Sequence, residues 1–235
     1  MTSRMFPFIT RTINPVGGEC LHRCRYCWAQ GPKGLTKRMT SKFYYGPPRL
    51  RIDSDLEAMF PLSKGDFVFV EDMSDLFGDW VPTEMIQKVL EKCGRHPETR
   101  FLFLTKNPKR YRGFLPLLYK INGILGVTLE TNRSTWPYSQ APQPFERWQS
   151  FFDIEYTPKF VALEPIMDFD SHTFSEMLFN ITNLESVAVG YDNYYNHLPE
   201  PPLAKTFSLI EQLEKNRITV FRKTLREAWN HNIKS

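Results

Sequence analysis

Six short apolar runs, rich in β-branched and aromatic residues, lie at about 67–71, 100–105, 123–130, 160–164, 186–190 and 218–222, and their starts are 33, 23, 37, 26 and 32 residues apart. That interval holds one strand and one returning helix. The gaps carry helical periodicity: in PTEMIQKVLEKCG the residues Met85, Ile86, Val89, Leu90 and Cys93 recur at i, i+3, i+4 spacing, with Gly94 placed to end the helix. SHTFSEMLFNITN and PLAKTFSLIEQLEKN repeat the pattern, and Asn107 with Pro108 reads as a cap and first turn. A further strand near 7–13 precedes the series. Regular alternation of strand and helix requires a parallel sheet, either open and doubly wound or curled into a partial barrel.

The 235 residues suit a single α/β domain over 1–235, and 41% hydrophobic with 24% charged residues excludes wholesale disorder. No run approaches the roughly 18 apolar residues of a membrane span, and the opening MTSRMFPFITRT lacks a signal peptide's apolar stretch. The expectation is a cytoplasmic protein with no membrane partner. Net charge is only +4, but residues 1–51 hold ten Lys and Arg against the single acid Glu19, and the remainder is net acidic. A basic N-terminal segment is either a solvated face or the place where an anionic group binds, such as a nucleotide, a nucleic acid or a carboxylate.

Three of the four cysteines fall within eight residues, Cys20, Cys24 and Cys27 in NPVGGECLHRCRYCW, a CxxxCxxC spacing. Three thiols cannot pair among themselves, so a disulfide framework explains them poorly. A structural zinc needs a fourth ligand from His22, Cys93 or a partner chain. An iron–sulfur cluster held by three thiolates keeps one iron open to a cofactor or substrate.

CxxxCxxC with the aromatic Tyr26 before its last cysteine resembles the signature of the radical S-adenosylmethionine superfamily. The likeness runs from Asn14 to about Trp229. NPVGGECLHRCRYCWAQ resembles the entry motif of spore photoproduct lyase-like, DNA-repair-photolyase-like radical proteins. FVFVEDMSDLFGDWVP, RFLFLTKNPKRY, LGVTLETN and FVALEPIMDF resemble, more closely, the blocks of a phage-associated, uncharacterised radical S-adenosylmethionine family. The resemblance implies a partial (β/α)6-type parallel barrel of six or seven strands. A cluster loop would occupy about 14–50, and a C-terminal strand and helix about 217–233. It further implies a [4Fe-4S] cluster on Cys20, Cys24 and Cys27, S-adenosylmethionine on the open iron, and an external electron donor such as a ferredoxin or flavodoxin. Reductive cleavage of the cofactor would then start hydrogen-atom abstraction from a substrate.

In parallel α/β barrels the site forms at the C-terminal strand ends. Here the apolar runs end in Glu71 to Asp75, Thr105 and Lys106, Glu130 to Asn132, Glu164, Tyr191 to Asn193, and Arg222 with Lys223. By position, Ser74 and Asp75 suit the cofactor's ammonium, Lys106 its carboxylate, and Glu130 and Asn132 its ribose hydroxyls. Tyr26 is expected near the adenine, and Glu164 joins this cofactor set. A GGE-type triplet common after the second strand in the superfamily is replaced here by DMSD. Cys93 lies on the apolar stripe of a helix and reads as a small buried hydrophobe rather than a hydrogen donor. His22 reads as a loop residue, and His96, His172, His197 and His231 are isolated.

Two stretches interleave bases and aromatics in a way that suits nucleic acid. One is LTKNPKRYR, with Lys106, Lys109, Arg110, Tyr111 and Arg112; the other carries Lys33, Lys37, Arg38, Lys42, Phe43, Tyr44 and Tyr45. The loops at 28–50 and 131–146 are long enough to cover a site. Besides the radical enzyme, the residues accommodate a non-catalytic, metal-stabilised nucleic-acid-binding module or an electron-transfer partner.

Overall fold

The structure, a computed structural model, describes residues 5–35, 42–51, 53–60 and 62–229. Its centre is a seven-stranded sheet: β1 (Arg11–Ile13), β4 (Phe67–Val70), β5 (Arg100–Thr105), β6 (Gly123–Thr128), β7 (Lys159–Leu163), β8 (Leu184–Val189) and β9 (Thr219–Arg222). They lie in that spatial order, and every neighbouring pair is parallel. Chain order and spatial order coincide because each strand is followed by a crossover that returns the chain beside it. The helices of these crossovers are α2 (Thr83–Gly94), α3 (Leu115–Leu118), α4 (Pro144–Phe151), α5 (Ser171–Phe179) and α6 (Leu203–Lys215), while α1 (Asp53–Ala58) precedes β4. The sheet curls into a half-barrel with these helices outside it, the partial barrel that the strand–helix alternation leaves open and the resemblance implies.

The two faces of each strand enter different cores, as the period of two requires. Val68 and Val70 of β4 and Phe101 and Phe103 of β5 pack outward with Ile86, Val89, Phe174 and Leu209 of the helices. Phe69, Leu102, Ile124, Phe160, Ala162 and Ala188 point inward, where Phe6 and Ile9 fill the half-barrel. Phe6 stands edge-on to Phe160 at 5.1 Å and Phe8 lies 4.6 Å from Phe221. The N-terminal segment is therefore a plug, and the cavity that Phe6 helps to line lies towards the strands' C-terminal ends. Because both faces are covered, β6 and β7 are buried at every position, so their sequences read as continuous apolar runs rather than alternating ones.

Three local expectations change. α2 continues through Gly94 and closes on Arg95 in right-handed geometry, so this glycine supplies no left-handed cap. Pro108–Phe114 is a 3-10 helix whose Asn107 does not cap; its amide donates instead to Phe77 O and Asp79 Oδ1 at 3.0 and 2.8 Å. After β9, residues 223–228 form no helix, and the rest of the stretch expected to be helical, from 230 on, lies outside the described residues. Among the described residues no helix is long and apolar enough to cross a membrane.

A small antiparallel ribbon, β2 (Val16–Gly17) with β3 (Arg49–Leu50), ties off the cysteine loop between them. Gly18 holds a φ of +103° inside this closure. Its N–H donates to Phe43 O at 2.8 Å, a conformation that suits glycine and strains other residues.

Candidate active site

A cavity of about 910 Å³ opens at the C-terminal ends of the strands. Cys20, Cys24 and Cys27 line one side of it. Ser74, Asp75 and Lys106 line it from beyond the ends of β4 and β5, and Glu164 and Lys223 from the ends of β7 and β9. Phe6, Phe69, Leu104 and Ala162 form its apolar floor.

Short-range bonds shape the cysteine loop. Gln30 accepts from Cys20 N at 2.6 Å and donates from its amide to Gly18 O and Met73 O at 3.3 and 3.0 Å, while its own N–H points at Cys27 Sγ, 3.2 Å away. Gly31 follows because a Cβ there would lie 2.5 Å from Cys27 O. Residues 135–141 clasp the loop from outside: Arg25 N donates to Tyr138 O and Gln140 N to His22 O, both at 2.8 Å, and Ser139 Oγ lies 3.1 Å from Cys24 Sγ. Burial pushes the Cys20 and Cys24 thiols up; for Cys24 the Lys106 charge and the Ser139 hydroxyl act in the opposite direction. Cys93 is buried in α2, far up the thiol range for the same reason and away from the cavity lining.

Asp75 is the joint between this loop and the barrel. Its carboxylate takes His22 Nε2 at 2.7 Å, Thr105 Oγ1 at 2.8 and 2.9 Å, and the N–H groups of Phe77 and Lys106 at 2.9 Å. Burial would raise its pKa, but His22 and these donors hold it below the usual aspartate value. His22 also packs edge-on against Trp80 at 4.8 Å. With every lone pair directed at an internal donor, Asp75 positions its neighbours, whereas Ser74 carries no side-chain partner among the described residues.

Behind Cys24 sits a charge cluster whose Glu130 and Arg147 side chains are closed to solvent. Glu130, at the end of β6, accepts from Tyr26 Oη at 2.6 Å and pairs with Lys106 Nζ at 3.0 Å and Arg147 Nη2 at 2.8 Å. Arg147 donates its other nitrogen to Thr128 O at 2.6 Å. Burial would raise the pKa of Glu130, but Arg147, Lys106 and Tyr26 bring it down to about 2. The three ionised groups sum to +1 immediately beside a thiol, the sign that favours a thiolate.

The remaining expected residues are placed as follows. Tyr26 and Lys106 line the cavity, and the Lys106 ammonium lies 5.5 Å from the Tyr26 ring centre. Glu130 is not among the lining residues, and neither is Asn132, whose side chain bonds the Asp170 backbone at 2.9 and 3.3 Å. Glu164 pairs with Lys223 at 2.5 Å across the cavity rim. The LTKNPKRYR stretch is not a free basic surface: Tyr111 is buried and donates to Phe103 O and Gly126 O at 2.8 Å, Arg110 donates to Gly78 O and Val81 O, and Arg112 pairs with Asp153. In the other stretch Tyr44 is buried, Arg51 covers Phe43 at 4.0 Å, and Lys33 donates to Tyr194 O and Tyr195 O. Lys37, Arg38 and His231 lie outside the described residues.

Arg147 and Gln30 carry no sequence motif. The one available signal for Arg147 is its place on α4, where it shares the buried face with Pro144 and Phe151; a charge on an apolar stripe is the mark of a buried pair.

Among solved structures, the fold is similar to spore photoproduct lyase. A singly substituted variant superposes with a TM-score of 0.60 at 12% identity, covering 90% of this chain and 75% of that one. A doubly substituted variant with bound AdoMet and dinucleoside spore photoproduct gives 0.58 at 14%, covering 91% and 64%. A third gives 0.57 at 15%, covering 89% and 62%. The chain thus spans roughly two thirds to three quarters of those proteins, and the likeness establishes the shared half-barrel. No curated protein matches the sequence. A family model matches residues 5–192, and the chain belongs to that family, Protein of unknown function (DUF5131).

Proposed function

We propose that this protein is a radical S-adenosylmethionine enzyme that holds a [4Fe-4S] cluster on Cys20, Cys24 and Cys27. The observation that carries the reading is that three thiols from one loop line a single cavity at the C-terminal ends of seven parallel strands. The donor set fits such a cluster. Among the described residues no three His, Cys, Asp or Glu side chains converge on one point as the ligands of a single ion would; a cubane takes one thiolate on each of three separate irons, so its ligands need not converge. Cys93 is too remote to complete a four-thiolate site, which leaves an iron for the cofactor. When bound, such a cluster passes an electron to S-adenosylmethionine and starts hydrogen-atom abstraction. The likeness to the blocks of the phage-associated radical family supports the same reading.

The chain's own groups would prepare the site. The net positive Lys106–Glu130–Arg147 cluster offsets negative charge on Cys24, and the Gln30 N–H and Ser139 hydroxyl donate to sulfur, interactions that tune a cluster's potential. Ser74 would accept from the cofactor's ammonium, with Asp75 fixing the β4 end that carries it. Glu130 would act through Tyr26 and Lys106 rather than on the cofactor itself. The apolar floor around Phe6 and the Glu164–Lys223 pair bound the space left for a substrate. The dinucleoside held by one structural neighbour makes a nucleic-acid substrate the first to try.

Anaerobic reconstitution tests the metal assignment. The expected result is brown protein with about four irons per chain, reduced sharply by alanine at any one of the three cysteines. Colourless protein holding one zinc would replace this reading with the metal-stabilised binding module.

A further inference from the structure

The cysteine loop has an outer face as well as an inner one. From residue 21 to 26 exposure alternates: His22, Cys24 and Tyr26 are buried, while Leu21, Arg23 and Arg25 are exposed. Arg23 is held at a φ of +46°, and the Arg25 backbone is fixed by its bond to Tyr138 O. The clasping loop adds Trp136, 67% exposed. Neither Arg23 nor Arg25 carries an ion pair among the described residues, whereas six of the other twelve described arginines do. Two unneutralised guanidiniums beside an exposed leucine and tryptophan therefore flank Cys24 on the side away from the cavity.

We infer that this face docks an acidic one-electron donor protein. The inference rests on the proposed cluster. Electron transfer weakens steeply with distance, and Arg23 and Arg25 are the immediate sequence neighbours of a ligand thiolate, so a donor seated on them stands closer to the cluster than one at the cavity mouth, which cofactor and substrate must occupy. The charge selects an acidic partner and accelerates its encounter; Leu21 and Trp136 supply apolar contact of the kind interfaces enrich. In the transfer one electron leaves the donor, which is oxidised, and enters the oxidised cluster, which is reduced; no proton or group moves. A nucleic acid would also be attracted by two arginines, but a substrate has to reach the inner side of the loop.

The test uses reduced flavodoxin as donor and the charge-reversed variant Arg23→Glu/Arg25→Glu, with Arg23→Gln/Arg25→Gln as the milder form. Binding of flavodoxin to the protein, with and without cluster, is measured by calorimetry at low and high salt, and cluster reduction is followed with flavodoxin and with dithionite. The expected result is salt-sensitive binding that both variants weaken. Reduction by flavodoxin should fall about tenfold or more on reversal, with dithionite reduction unchanged. Unaltered flavodoxin binding, an equal loss with both reductants, or variants that lose only nucleic-acid binding would overturn the docking face. Failure of the wild-type protein to form any dithionite-reducible cluster would instead overturn the proposed function, because donor binding is also read on the cluster-free chain.

Discussion

Glu130 and Glu71 are carboxyls at corresponding places in one barrel, beyond the ends of β6 and β4 with β5 between them, and solvent reaches 0% and 1% of them. Their charges are nevertheless opposite in tendency. Glu130 meets Arg147, Lys106 and the Tyr26 hydroxyl and stays ionised down to about 2. Glu71 sits at a φ of +66° and accepts one bond, from Val16 N at 2.8 Å, while its other oxygen has no partner. Burial pushes its pKa well above the usual glutamate value, outweighing the Val16 bond, and Asp72 adds to the rise. Burial alone therefore decides nothing; the partner set decides which buried acid carries charge. Glu130 lies behind the thiols, and Glu71, whose pKa burial raises, anchors the ribbon that closes their loop.

Removing Arg147 is the severest way to break this contrast. Arg147→Ala leaves Glu130 buried with one cation fewer, and the expected loss is about 3 to 5 kcal/mol of unfolding free energy, read as a fall of roughly 10 °C or more in thermal midpoint. Tyr26→Phe removes one bond to the charged carboxylate and should cost about 1.5 to 3 kcal/mol, with the cavity otherwise intact.

The pH dependences have opposite signs. Glu130 has a folded pKa below its ordinary 4.5, so its contribution is complete above that value and disappears as pH falls towards about 2; acid unfolding followed by circular dichroism should flatten in Glu130→Gln. Glu71 has a folded pKa above its ordinary 4.5, so its contribution is complete below that value and is lost as pH rises. Glu71→Gln should thus leave stability unchanged in acid and raise it at neutral pH, the smallest effect of the set. A Glu71→Gln protein less stable at neutral pH than at acid pH, relative to wild type, would contradict a raised pKa for Glu71.

The scaffold was legible in the sequence because a parallel sheet covered on both faces leaves uninterrupted apolar runs, and GILGVT and KFVAL are such runs. The three cysteines were legible because their spacing is local. What could not be read were pairings across distance. His22 with Asp75 spans 53 residues and Tyr26 with Glu130 spans 104, and no periodicity links them. The same gap explains the basic stretches: Lys-Arg-Tyr-Arg suggests a surface, yet Tyr111 turns inward to bond two strand carbonyls and Arg110 closes a turn. Composition reports residue types, whereas only the fold reports which of them are already engaged.

The most direct measurement of the central claim is the electron paramagnetic resonance spectrum of reconstituted, reduced protein with and without S-adenosylmethionine. The account predicts a reduced-cluster signal whose shape changes when S-adenosylmethionine is added, because the cofactor occupies the iron that Cys20, Cys24 and Cys27 leave open. A cluster signal indifferent to S-adenosylmethionine would contradict it.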